Sequence, residues 1–171
     1  MTAGKSSALE QPVYRIEASM QLTKQQRDLL RRAGLLFLLG MITGIWAGIV
    51  LSDGRAVGLQ FNWALKHERL VLGAHLNGLI GCFWLLGVAG TLPYLRLNER
   101  GRLRLVRLVT LATYANWSVT LLASFFDARG LAFVGEVRND IIAALLMIFV
   151  VLPTLAAAGL WAWGLWAEPA A

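Results

Sequence analysis

The sequence predicts an all-α protein, an integral membrane four-helix bundle. Two observations carry that prediction. Four long apolar runs cover 33–52, 70–95, 108–126 and 141–167, three without any charged side chain and one interrupted only by His75. Charged residues then mark the edges of the runs, among them Asp53, Arg69, Arg96, Arg107, Asp127, Asp140 and Glu168. A hydrocarbon core about 30 Å thick needs about 20 apolar residues at 1.5 Å rise each. Backbone amides in lipid must be satisfied within a segment, so runs of this length read as transmembrane helices.

The elements follow in chain order. Residues 1–26 form a polar N-terminal tail, with Lys5, Glu10, Arg15, Glu17 and Lys24 spread through it. No apolar core follows a basic start there, so no cleavable signal peptide is expected. Residues 27–168 form a single four-helix transmembrane domain. The first helix contains Gly40, Gly44 and Gly48, each four apart, which make a smooth groove for close approach of another backbone. That groove suits packing within the chain or between copies. The second helix carries His75 near its start. Gly78, Cys82, Ala89, Gly90 and Pro93 lie within about 60° of it around the helix, a mostly small stripe on which a flat ligand or another helix could rest. Asn77 points roughly the opposite way and is expected to bond a neighbouring helix. The third helix has a polar stripe of Thr110, Thr113, Asn116, Thr120 and Ser124, with Tyr114 on its shoulder. The last helix closes on Trp161, Trp163 and Trp166, where an interfacial aromatic belt belongs.

Composition excludes several function classes. The formal net charge is +6, but the basic residues flank spans instead of lining one face, so nucleic acid is not the partner. The lipid bilayer is. One cysteine, Cys82, excludes an intrachain disulfide. No nucleophile elbow or phosphate-binding glycine loop is present. The spans contain no Asp or Glu, which counts against a proton-coupled transporter.

His75 is the one ionisable group of its kind inside the spans, and an ionisable group there needs a reason. One reading is a neutral imidazole bonded to a carbonyl of another helix. Another is a metal or haem ligand. Zinc lacks a second histidine, a cysteine pair or a carboxylate at ligand spacing. A haem needs only one protein ligand. His67, between Lys66 and Glu68, reads as a solvated loop residue.

Three strings carry a resemblance. GLLFLLGMITG in helix one, RLVLGAHLNG opening helix two and ATYANWSVTLLAS in helix three resemble the hydroxylaminobenzene mutases. The layout is also similar to styrene oxide isomerase, a membrane protein that holds haem b through a histidine early in its second helix. Counted from that histidine, His75, Pro93, Asn116 and the string Arg129, Gly130, Leu131 fall at similar offsets. The likeness covers about 29–165. Three positions depart from it. Gly81 stands where both families have an asparagine, Thr120 where the isomerase has a tyrosine, and Ala112 where the isomerase has an aspartate.

The resemblance implies a membrane-embedded, haem-dependent isomerase or mutase. It would move oxygen within a small aromatic substrate, an aryl hydroxylamine or an epoxide, with ferric haem b as Lewis acid. His75 would be the metal ligand, with Gly78 and Cys82 as further cofactor-binding residues. Asn116, Tyr114 and Thr120 would hold the substrate's oxygen or ring. The alternative is a non-catalytic haem-binding or electron-carrying membrane protein, whose second axial ligand a partner would supply. A homo-oligomer is expected, a trimer by the resemblance.

Orientation follows from lysine and arginine. The N-terminal segment and the region after the second run hold eleven of them, against five beside the other two connections. The chain is therefore expected in the inner, cytoplasmic membrane with both termini cytoplasmic. Reporter fusions at the two termini and near Gly101 should all report a cytoplasmic location; periplasmic activity from either terminus would overturn the orientation.

Overall fold

The computed structural model describes residues 22–52, 68–126 and 128–167. Four helices are long and apolar enough to cross a membrane, so the chain is a multi-pass helical membrane protein. Helix α1 is Lys24–Leu51. Helix α2 is Glu68–Thr91, followed by a 3₁₀ turn at Leu92–Tyr94 that begins around Pro93. Helix α3 is Glu99–Phe126. Helix α4 spans Val137–Trp166. The expected loop residues around Arg55, Lys66 and His67 lie outside the described residues, as does most of the N-terminal tail.

Two helices begin well before the apolar runs that announced them. Thr23 caps α1: its hydroxyl accepts from the Gln26 amide, and the Gln26 side chain accepts from the Thr23 amide. This capping box satisfies two amides that the first turn leaves unpaired. Helix α3 likewise starts at Glu99, so Arg100, Arg102, Arg104 and Arg107 ride on the helix and only Arg96 sits in the connection. At 28 residues each, α1 and α3 reach about 42 Å, enough to carry their charged ends into the headgroup region.

Helix α4 contains one irregularity with a local cause. Met147–Val151 forms a π turn, and the Leu152 amide donates to the Met147 carbonyl five residues back. Pro153 follows at once. A proline has no N–H to give and its ring collides with the carbonyl four residues earlier, so the widened turn relieves the clash.

Helices α1, α2 and α3 pack as a triangle, and α4 lies mainly along α3. Buried apolar side chains gather in two clusters. The larger joins Leu29, Leu36, Leu85, Val88, Leu105 and Val109 toward the end of the bundle that holds the α2–α3 turn. The smaller joins Val119, Ala123, Ala128 and Ile142 toward the other end. Outward positions such as Ile45, Ile80 and Phe83 are exposed and apolar, as contact with acyl chains requires.

The glycine groove of α1 is used inside the chain. A Cβ on Gly78 would stand 2.9 Å from the Gly40 Cα, so the α1 and α2 backbones cross in contact there. A Cβ on Gly44 would meet the His75 ring at 2.6 Å. Of the three glycines only Gly48 is open, with nothing within 4 Å. Of the two uses the groove suits, packing within the chain holds at Gly40 and Gly44, which α2 fills.

The crossing predicts a contrast between two glycines. Gly78→Ala should cost about 1–3 kcal/mol, the usual penalty of overpacking a close contact, whereas Gly48→Ala should be neutral or slightly stabilising. Thermal unfolding in detergent measures both; equal tolerance at the two positions would contradict the crossing.

Candidate functional site

Between the two apolar clusters lies a layer of polar side chains contributed by three helices. It holds Thr43 on α1, His75 and Asn77 on α2, and Asn116, Trp117 and Thr120 on α3. The Trp117 indole N–H donates to the Thr43 hydroxyl at 3.1 Å, tying α3 to α1. Thr43 in turn donates to the Leu39 carbonyl of its own helix at 2.8 Å.

His75 is half-buried and turned toward α1. Its Nδ1 lies 2.8 Å from the Gly40 carbonyl oxygen. A carbonyl can only accept, so Nδ1 carries the proton and donates. That assigns the neutral ring the Nδ1–H tautomer and leaves Nε2 with its lone pair, with no protein partner among the described residues. The ring can occupy this position because Gly44 presents no Cβ. The donor set would suit a metal ligand, a bare Nε2 on an imidazole oriented through its other nitrogen. It equally satisfies a buried histidine's own needs.

The small stripe beside His75 has another occupant. Gly78 is pressed on Gly40, and Cys82 is buried in the larger apolar cluster. Gly78 seats α1 against α2 and Cys82 is buried, so neither faces open space beside the imidazole. Gly90 and Pro93, farther along, are exposed.

Asn77 bonds the neighbouring helix, as its helical phase predicts. Its Nδ2 donates to the Asn116 Oδ1 at 3.3 Å and to the Thr120 Oγ1 at 2.9 Å. The consequence for α3 is chemical. Thr110, Thr113, Ser118 and Ser124 each spend their hydroxyl proton on a carbonyl one turn back in α3. Thr120 does not: its oxygen accepts from Asn77, and its proton has no acceptor among the described residues. Asn116 is alike, with its oxygen engaged and its Nδ2 hydrogens unspent. Asn77 therefore holds two donor groups, one turn apart, on a half-buried face within the spans.

Tyr114 stands apart from this pair. Its hydroxyl donates to the Arg32 carbonyl at 2.8 Å, near the start of α1. Arg32 also donates from Nη1 to the Thr110 hydroxyl at 3.1 Å. Tyr114 thus fastens α3 to α1 toward the end that carries the N-terminal arginines, and the layer with His75 and Asn116 does not include it. Gly130, of the Arg129–Leu131 string, has φ +62°, and its amide donates to the Asn139 side chain at 2.9 Å. That string shapes the turn before α4.

His75 and the donor pair face different sides. Positions 75 and 77 are about 160° apart around a helix. One bonds α1 and the other bonds α3. Within one chain the imidazole and the Asn116–Thr120 pair therefore open onto opposite flanks of α2. A third flank, between α1 and α3, holds an apolar groove of about 330 Å³ walled by Leu39, Ile42, Trp46, Trp117, Leu121 and Phe125. Sequence reading turned Asn77 to a neighbouring helix and offered His75 a carbonyl of another helix, but it did not name Asn116 or Gly40 as those partners, and it missed the Thr43–Trp117 bond. Helical phase could have found the first, since Asn77 and the α3 stripe each face a neighbour; a backbone carbonyl leaves no mark in sequence.

Comparison with known proteins agrees with this architecture. The styrene oxide isomerase family matches residues 25–166. Hydroxylaminobenzene mutase HabB of Ectopseudomonas oleovorans is 29% identical over 151 residues, covering 84% of this chain and 83% of that protein. No solved structure matches. The chain belongs to the styrene oxide isomerase family, and it is accordingly a membrane isomerase or mutase acting within one substrate molecule.

Proposed function

We propose that this family member moves an oxygen atom within a small aromatic substrate, an aryl hydroxylamine or an epoxide, using haem b held by His75. The observation that carries the reading is the hydrogen bond from His75 Nδ1 to the Gly40 carbonyl at 2.8 Å. It places the proton on the nitrogen that faces protein and keeps Nε2 basic for iron. His75 would hold the haem, which when bound would supply a Lewis acid for a substrate oxygen. The reaction rearranges one molecule, so it needs no external electron acceptor.

The chain's own residues supply orientation. Asn116 Nδ2 and the Thr120 hydroxyl donate to substrate oxygen as its N–O or C–O bond weakens and charge gathers there. Donors fixed in advance, in a setting poor in water, stabilise such charge better than water that must first reorient. Asn77 fixes both by taking their oxygens as acceptors, which turns the two hydrogens away from α2. Tyr114, spent on Arg32, is not part of this set. Apolar substrates of this class dissolve in the bilayer and enter laterally.

Because His75 and the donor pair open onto opposite flanks of α2, the reading has them meet where two copies of the chain adjoin. A homo-oligomer follows, and the resemblance suggests a trimer. Orientation in the cytoplasmic membrane with both termini inside remains part of the same proposal.

The test separates ligand from donors. His75→Ala should give folded, helical protein without haem and without isomerase activity on hydroxylaminobenzene or styrene oxide, with added imidazole restoring some haem. Asn116→Ala and Asn77→Leu should keep haem and helix content while turnover falls about a hundredfold or more, the scale of one lost oxyanion donor. Thr120→Val should be milder, since water can replace a hydroxyl. Full haem content in His75→Ala would overturn the ligand assignment. Loss of helix content in Asn77→Leu and Asn116→Ala would return that pair to packing.

A further inference from the structure

We propose that an arginine pocket at the α2–α3 turn binds the phosphodiester headgroup of an anionic phospholipid. The pocket has a volume of about 430 Å³ and is lined by Arg96, Asn98, Arg100, Arg104, Leu160 and Trp163, among others. Arg100 and Arg104 stand one turn apart on α3 and are exposed, without an ion pair or hydrogen bond among the described residues. Arg96 donates from Nη1 to the Ala167 carbonyl, which ties the α2–α3 connection to the end of α4.

Charge is segregated here. Arg102, on the same turn of helix, faces away and donates to the Leu95 carbonyl at 3.0 Å. Glu99, the carboxylate nearest in sequence, lines a separate pocket with Lys24 and Arg102. Three arginines therefore line one space without a carboxylate among its lining residues. Their mutual repulsion favours an anion, and the planar fork of arginine matches phosphate oxygens in pairs.

The opposite wall selects a lipid over a soluble ion. Leu160 and Trp163 come from the last turns of α4, and Trp163 is 68% exposed. Tryptophan at a helix end sits at headgroup level, with its ring against the acyl region. A headgroup phosphate on the arginines would let the glycerol and the first chain carbons descend along this wall. A choline headgroup would bring an ammonium toward the same arginines and be repelled, so the pocket favours phosphatidylglycerol over phosphatidylcholine.

Native mass spectrometry of the full chain in neutral detergent tests this, with phosphatidylglycerol, phosphatidylcholine and inorganic phosphate as probes. Wild type should retain phosphatidylglycerol at least tenfold more tightly than phosphatidylcholine, and inorganic phosphate should not compete. The pair Arg100→Gln and Arg104→Gln should weaken phosphatidylglycerol about tenfold or more. The pair Arg31→Gln and Arg107→Gln, exposed and outside the pocket, should leave it unchanged, and Arg100→Lys with Arg104→Lys should retain it within about threefold. Unaltered binding in the glutamine pair, or equal loss in the control pair, would overturn the proposal in favour of diffuse surface charge. Competition by inorganic phosphate at similar concentration would overturn the lipid in favour of a free anion. Circular dichroism confirms that each variant is helical before it is scored.

Discussion

The crossing of α1 over α2 at Gly40 and Gly78 is the contact on which the rest of the site depends. Neither residue has a Cβ, and one on Gly78 would fall 2.9 Å from the other backbone. Lipid gives no hydrophobic reason for helices to associate, so close backbone packing is a main source of attraction between them. The approach has a chemical result as well as a mechanical one. It brings the Gly40 carbonyl to 2.8 Å from His75 Nδ1 and leaves room over Gly44 for the imidazole. Three glycines thus determine where the histidine stands, which nitrogen carries its proton and which nitrogen is left bare.

The second constraint is how α3 disposes of its hydroxyl protons. Along most of the helix they return to the helix's own carbonyls, which is the ordinary fate of serine and threonine in a membrane. At Thr120 and Asn116 the side-chain oxygens are engaged by Asn77 instead. Donors left unspent in lipid are costly, which is what makes this pair a candidate for binding a polar group. Gly81 sharpens the point. A Cβ there would lie 3.0 Å from both Leu36 and Thr113, so the asparagine that the resembling families carry at this position has no room. Asn77 stands one helical turn earlier on the same face and supplies an amide of its own.

Much of the fold was legible because a bilayer imposes a long, simple pattern. Four apolar runs sufficed for four helices, and the phase of α2 sufficed to turn Asn77 toward a neighbour. Helix ends were less legible: hydropathy marks where lipid begins, whereas the helix continues into the charged flank, from Thr23 in α1 and from Glu99 in α3. The π turn before Pro153 escaped because a proline in a span signals a disturbance without saying which kind. The polar residues of the candidate site were legible and their grouping was not. His75, Asn116 and Thr120 were each visible as polar groups in apolar surroundings, and Tyr114, on the shoulder of the same stripe, is fastened to Arg32. Gly78 and Cys82 looked like a surface for a flat ligand because a small stripe reads identically whether a cofactor or a helix lies on it.

The central claim is that the His75 Nε2 is held bare in order to bind iron. The most direct measurement is the optical spectrum of the wild-type protein, made with ample haem and purified in detergent. The account predicts a Soret band of a haem with one histidine ligand, which shifts when a small ligand takes the sixth position. A colourless protein that still isomerises its substrate would contradict the account and leave His75 as a hydrogen-bonding residue of the α1–α2 crossing.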